Sequence, residues 1–208
     1  MFVFAGEATY RSVLGGRGPV TFELPRGGTL TVDGSGLVVF HRRTLAYVLG
    51  SAPTPARLSA DVPLFSESES AHLADVRSLF GAVRLLWYAS AVALAALIVF
   101  AWRRRTLFLM ARDGAIASAA AVLALALVAA FAFEPAFLAF HYVFFPQGNF
   151  LFDPATSSLL ALYPEEYWYG VTLRVGVSFI VLALLVAIGS GILARRSPTG
   201  GSAIVTRP

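Results

Sequence analysis

The sequence predicts an all-α membrane protein with three transmembrane helices and a small extracytoplasmic N-terminal element containing short β segments. Composition is the first reason: of 208 residues, 57% are hydrophobic and 13% charged, with a mean hydropathy of +0.72, outside the usual range of soluble domains. The second is length, because a ~30 Å hydrocarbon core takes roughly 20 apolar helical residues to cross. Three stretches satisfy it, at 82–102 (AVRLLWYASAVALAALIVFAW), 114–139 (GAIASAAAVLALALVAAFAFEPAFLA) and 171–194 (VTLRVGVSFIVLALLVAIGSGILA). The third is charge placement. All 16 basic residues are arginine and they cluster at the ends of the apolar runs, which sets topology and gives no nucleic-acid footprint.

The N-terminal element, residues 1–65, opens with MFVFAGEATY, too short to span a bilayer or to serve as an ordinary signal peptide. PVTFELPRGGTLTVDGSGLVVF reads as short β segments broken by Arg-Gly-Gly and Asp-Gly-Ser-Gly turns. FHRRTLAYVLGSAPTP then reads as a short amphipathic helix stopped by Gly50 and two prolines, with His41 exposed beside Arg42 and Arg43. The transmembrane domain, 66–196, begins at FSESESAHLADVRSLF. Ser66 stands three residues before Glu69, the spacing of a capping box, and the helix it starts is expected to run on into the first span.

Between the first two spans lies RRRTLFLMARDG, and after the third come Arg195 and Arg196. The positive-inside rule makes these ends cytoplasmic. The first helix then runs inward and the second outward, so His72 and His141 fall together on the outer side. The tail at 197–208 is rich in Gly, Ser and Pro and is expected to be disordered. Export of the N-terminal element implies either an N-out topology or a first helix upstream of the start shown.

Cysteine is absent, which removes disulfides, thiolate metal sites and a Cys nucleophile. Chemistry therefore centres on histidine. His72 and Asp75 are i and i+3 and share a helix face, so the carboxylate can hold one imidazole nitrogen and raise the basicity of the other. The plainer reading is a solvated juxtamembrane face. His141 lies just past Glu134-Pro135, where a proline kinks the helix or frees backbone groups. Ionisable groups at membrane depth are candidates for function. An interfacial aromatic belt with Tyr142, Phe144, Phe145, Phe150 and Phe152 is the alternative, and it leaves Asn149 and Asp153 unexplained. A short re-entrant or interfacial loop accounts for them.

In LYPEEYWYG the aromatics read as interfacial anchors. Glu165-Glu166 would suit a Glu-Glu-x-x-x-Arg protease signature, but the next arginine is Arg174, at the wrong spacing. Arg84 and Arg174, in the outer first turns of spans, can snorkel or clamp a lipid phosphate.

PLFSESESAHLADVRSLF resembles the LFnxxExxHMxDVkxxF segment of a bacterial membrane family that includes the lipoprotein intramolecular transacylases. AFHYVFFPQGNFLFDPATSSLLALYPEEYW is similar to its FHxxFFxxGxWxFxxxxxLxxLYPxxFW segment, and HRRTLAYVLG to its ALxYLLG stretch. The resemblance covers roughly 40–194. Phe150 stands where the family often has tryptophan, Arg77 stands at a lysine position, and the family pattern has four helices with the N-terminus inside, one more than are visible here. The resemblance implies His72 and His141 as the two essential histidines, with Asp75 as the acidic companion. It implies a reaction within one diacylglyceryl-modified lipoprotein at the membrane, moving the sn-2 acyl chain to the cysteine α-amine without a cofactor. His72, oriented by Asp75, is then the expected base, with His141 stabilising the oxyanion or protonating the leaving glycerol, or the two exchanged. Asn149 is the candidate oxyanion donor, and Arg77, Arg84, Tyr142 and Asp153 are the remaining candidates for holding substrate. Two other classes stay open: a metal-dependent hydrolase using His72, Asp75, His141 and Asp153, though no HExxH-like pair is present, and a non-enzymatic membrane scaffold or accessory subunit.

Overall fold

The computed structural model of the chain describes residues 6–101 and 105–196. The expected disordered tail at 197–208 lies outside them. In chain order the elements are α1 (Glu7–Leu14), β1 (Val20–Glu23), β2 (Thr29–Val32), α2 (Gly34–Val48), α3 (Glu67–Ala101), α4 (Arg105–Phe131), α5 (Phe133–Phe144), α6 (Ser158–Leu162) and α7 (Glu165–Arg196). The protein is thus mostly helical, with a single small antiparallel hairpin among the described residues. Parts of α3, α4 and α7 are long and apolar enough to cross a membrane. The described chain divides into two compact units, one joining its residues up to Trp87 with Val128–Val175, the other joining its residues from Tyr88 to Leu127 with those from Gly176 to Arg196.

The second unit is membrane-like in its surface. Val92, Val99, Leu125 and Ile188 stand open to their surroundings, whereas the buried positions are small: Ala115, Ala119, Ala183 and Ala187. A side chain added at Gly176 would touch the Ala126 methyl at 4.0 Å. Apolar solvent gives helices no hydrophobic reason to associate, so close backbone approach through small residues takes over that role.

The first unit carries a conventional core of Tyr10, Leu14, Phe22, Leu37, Leu64, Phe65 and Leu162. Its hairpin pairs Val20 with Val32 through Glu23 with Thr29, and the predicted Arg-Gly-Gly turn is there, with Gly27 and Gly28 at φ 89° and 86°, a region open to glycine at no steric cost. The second predicted turn is instead a helix start. The Asp33 side chain accepts the Gly36 N–H at 2.9 Å, an N-cap, so GLVVF continues as helix where the sequence reading has a β segment. The helix turns Leu37, His41, Thr44 and Val48 inward, a spacing of three to four residues that marks one face. His41 is therefore buried, 1% exposed, which overturns its expected exposure, while Arg42 and Arg43 point out. Helix α2 stops at Gly50 as expected: the Ser51 N–H reaches the Ala46 carbonyl and the Gly50 N–H that of Tyr47, with Gly50 at φ 86°, the Schellman arrangement.

The capping box is present. The Ser66 hydroxyl accepts the Glu69 N–H at 3.2 Å and the Glu69 carboxyl accepts the Ser66 N–H at 2.8 Å. From there α3 continues without interruption into the first apolar stretch. The second span differs from the sequence reading, since α4 ends at Phe131 and the chain breaks at Ala132 (φ −145°, ψ 54°) before α5. Pro135 explains the break: it has no N–H to bond to Phe131 and its ring clashes with a carbonyl in a continuing helix, but it fits the first turn of a new one.

Candidate active site

His141 sits near the end of α5, beyond the Ala132 break, and His72 on the first turns of α3; both are buried, at 8% and 6% exposed. Their ring centroids are 5.9 Å apart and the planes differ by 27°. Two histidines far apart in sequence thus meet because α5 returns to the level at which α3 begins. Aromatic rings enclose them: Phe145 and Phe152 lie against His72, and Phe137 and Phe150 against His141.

Hydrogen bonding fixes the chemistry of His141. Its Nδ1 is 2.7 Å from the Phe137 carbonyl oxygen, and since a carbonyl only accepts, Nδ1 carries the proton and Nε2 is the basic nitrogen of the neutral ring. Burial lowers the His141 pKa below its ordinary value, opposed in part by the same carbonyl. The ring is therefore neutral at pH 7 and ready to take a proton.

Asp75 does more than the sequence suggests. Its carboxylate accepts the Asn149 amide N–H at 2.6 Å and the Gln147 amide N–H at 2.7 Å. It thereby binds the loop after α5, whose Phe145 and Phe152 lie against the His72 ring. Gly148, at φ 77°, makes the turn that presents the two amides on one carboxylate. Gln147 is a residue the sequence reading missed, since a single glutamine in an aromatic run carries no periodic signal.

Glu69 is the other missed residue. Only 3% exposed, it caps α3 with one oxygen while the other accepts the Ser157 hydroxyl at 2.6 Å and the Leu159 N–H at 2.8 Å. One carboxyl so ties the start of α3 to the first turn of α6, one turn before His72. Its partners lie some 90 residues downstream, which is why only the local cap is legible in sequence.

The remaining candidates fall away from the histidines. Arg77 donates to the Ala52 carbonyl at 2.7 Å and lies 4.9 Å over the Tyr47 ring; Arg84 donates to the Leu49 carbonyl at 3.2 Å. Both guanidinium groups hold the end of α2. Arg174 likewise serves the fold, donating to the Gly170 carbonyl and the Ser12 hydroxyl. Asp153 accepts the Ala155 N–H within its own turn at 2.9 Å, and Tyr142 is exposed with its ring against Phe150. Among the described residues no three His, Asp or Glu side chains come together to hold a metal ion.

A chamber of roughly 900 Å³, open space at its mouth included, runs past both histidines. Leu73, Val76, Phe80, Phe137, Phe152 and Trp168 give it an apolar lining, and His41 and Thr44 stand along the same wall. His41 stacks on Tyr10 at 4.3 Å and its Nδ1 is 3.1 Å from the Tyr163 hydroxyl. An apolar chamber with a few convergent polar groups is the usual form of a small-molecule site.

A family model described as lipoprotein intramolecular transacylase Lit matches residues 39–168, a stretch that holds His72, His141, Asp75, Gln147 and Asn149. No curated protein matches the chain. No solved structure matches it either.

Proposed function

The chain belongs to the lipoprotein intramolecular transacylase family, and on that premise we propose that it moves the sn-2 acyl chain of a diacylglyceryl-cysteine to the α-amine of the same cysteine, with His72 and His141 as its proton carriers. The observation that carries the reading is His141: a buried imidazole whose Nδ1 is committed to the Phe137 carbonyl and whose ring lines one chamber with His72.

The proton count suits a pair of histidines. The ammonium form of the substrate carries three protons and the product amide nitrogen keeps one, so two must leave. An α-amine with a reference pKa of about 7.7–8.0 is mostly protonated at neutral pH. His72 takes the first proton and becomes an imidazolium. The freed amine attacks the ester carbonyl, forming the C–N bond, and the His72 cation lies near enough to favour the oxyanion. His141 Nε2 takes the second proton and gives it to the glycerol oxygen as the C–O bond breaks. His72 then releases its proton to solvent. No ATP or carrier enters, because an amide is more stable than the ester it replaces and both groups arrive on one molecule.

The apolar lining of the chamber suits an acyl chain, and its aromatic walls keep bulk water from the ester, so that transfer is favoured over hydrolysis. The arginines between the first two apolar stretches and those at 195–196 favour a cytoplasmic location for their ends. That supports a site on the extracytoplasmic side, where lipoproteins emerge.

The reading is tested with the full-length protein in nanodiscs and a synthetic diacylglyceryl lipopeptide. Wild type converts it to the N-acyl, S-monoacylglyceryl form, and His72→Ala and His141→Ala do not, although both elute as folded protein. Conversion at the wild-type rate by both variants sinks the assignment.

A further inference from the structure

The amide between Asp75 and His72 has an orientation that can be read from its neighbours. Asn149 Nδ2 lies 2.6 Å from Asp75 Oδ2, and the carboxylate is a pure acceptor, so this end of the amide must be the NH₂ and the other the carbonyl oxygen. Gln147 makes the same choice on the same oxygen, with Nε2 at 2.7 Å. The carbonyl end of Asn149 is then buried, and among the described residues Oδ1 lacks a partner within strict hydrogen-bonding geometry. So does His72 Nδ1, also buried. Both lie in one cluster, because Asn149 is tied to Asp75, one turn from His72, and Phe145 and Phe152 on either side of Asn149 in the same loop lie against the His72 ring; one of the two atoms needs a donor.

We propose that Asn149 is a positioning residue which, anchored by Asp75, accepts the His72 Nδ1–H on its carbonyl oxygen and so holds His72 in the tautomer whose Nε2 is the base. This rests on the function proposed above and deepens it. It changes the expected roles of two residues: Asp75 acts on the imidazole through an amide, and Asn149 serves the histidine as an acceptor in place of serving the oxyanion as a donor. The alternative tautomer would set the His72 lone pair against the Asn149 carbonyl, leaving two buried acceptors facing each other. With His141 fixed by the Phe137 carbonyl, both rings then expose the same nitrogen. Fixing a tautomer through a second, neutral group is the familiar way to orient an imidazole without ionising its neighbour.

The test reads the tautomer directly. Full-length protein labelled with ¹⁵N-histidine in nanodiscs is examined by NMR above the histidine titration range, and the His72 signals are identified by their loss in His72→Gln. Expected is a protonated Nδ1 and an unprotonated Nε2. Asn149→Leu is expected to mix the tautomers and to lower kcat roughly 10–100-fold, the scale for losing an orienting partner, with KM changing far less. Asp75→Asn, which keeps an acceptor oxygen for the Asn149 amide, is expected to retain the wild-type tautomer. An Nε2-protonated His72 in wild type overturns the inference whether or not any variant folds, and so does an unchanged tautomer in folded Asn149→Leu. Failure of the functional reading looks different: His72→Ala then stays active, whatever the tautomer.

Discussion

Replacing Glu69 by alanine removes one side chain and severs three hydrogen bonds, to Ser66, Ser157 and Leu159. At about 0.5–1.5 kcal/mol each these bonds amount to a few kcal/mol, and a buried donor left without a partner costs roughly 1–3 kcal/mol more. Ser157 and Leu159 are 7% and 9% exposed, so water replaces the lost acceptor poorly. Overlap between the two effects brings the expected loss to about 3–5 kcal/mol. At roughly 2–4 °C per kcal/mol for a chain of this size, Tm falls by about 6–20 °C. Glu69→Gln keeps Oε1 for Ser157 and Leu159 but sets an NH₂ against the Ser66 N–H, and is expected to lose about half as much. The assay is thermal unfolding in one detergent, followed by intrinsic fluorescence, with transacylation measured on the surviving folded fraction. Activity falls with stability, because His72 is placed by the same turn of α3. A Glu69→Ala protein melting within about 2 °C of wild type would refute the reasoning.

Three further outcomes follow from the same geometry. His141 has a pKa lowered by burial, so its NMR titration midpoint is expected below the reference of about 6.5; a midpoint above it contradicts the account of the site. The sign for stability follows: on acidification the unfolded chain takes this proton first, so stability is full above the reference value and is lost as pH falls toward the depressed one. A chelator is expected to leave conversion of the lipopeptide unchanged, since the described residues bring no ligand set together, and loss of activity restored by a divalent metal would revive the hydrolase reading. Gly50→Ala, forced to φ 86°, is expected to cost about 1–2 kcal/mol, seen as a lower Tm.

What the sequence reveals here is local or periodic. The spans follow from apolar length, the capping box at Ser66 from spacing, the stop of α2 from Gly50, and the pairing of His72 with His141 from counting helices and arginines. What it hides is set by tertiary partners. The helical start at Gly34 depends on the Asp33 cap, and without it the VVF run looks like a strand; with it, His41 falls on the inner face beside Leu37 and Thr44. Arg77 and Arg84 look like ligands for a headgroup because their carbonyl partners at Ala52 and Leu49 lie in a loop no pattern predicts. The Asp75 partners at Gln147 and Asn149 are equally non-local. Family resemblance singles out the histidines, and physical contact explains how one of them is held.

The central claim is an acyl transfer that uses His72 and His141, and the most direct measurement is mass spectrometry of the N-terminal lipopeptide of a reporter lipoprotein. The host lacks N-acylation and expresses either this protein or its His141→Gln variant. An N-acyl, S-monoacylglyceryl peptide that forms with wild type and is absent with the variant is the predicted result. A diacylglyceryl peptide left unchanged by well-expressed wild-type protein would contradict it.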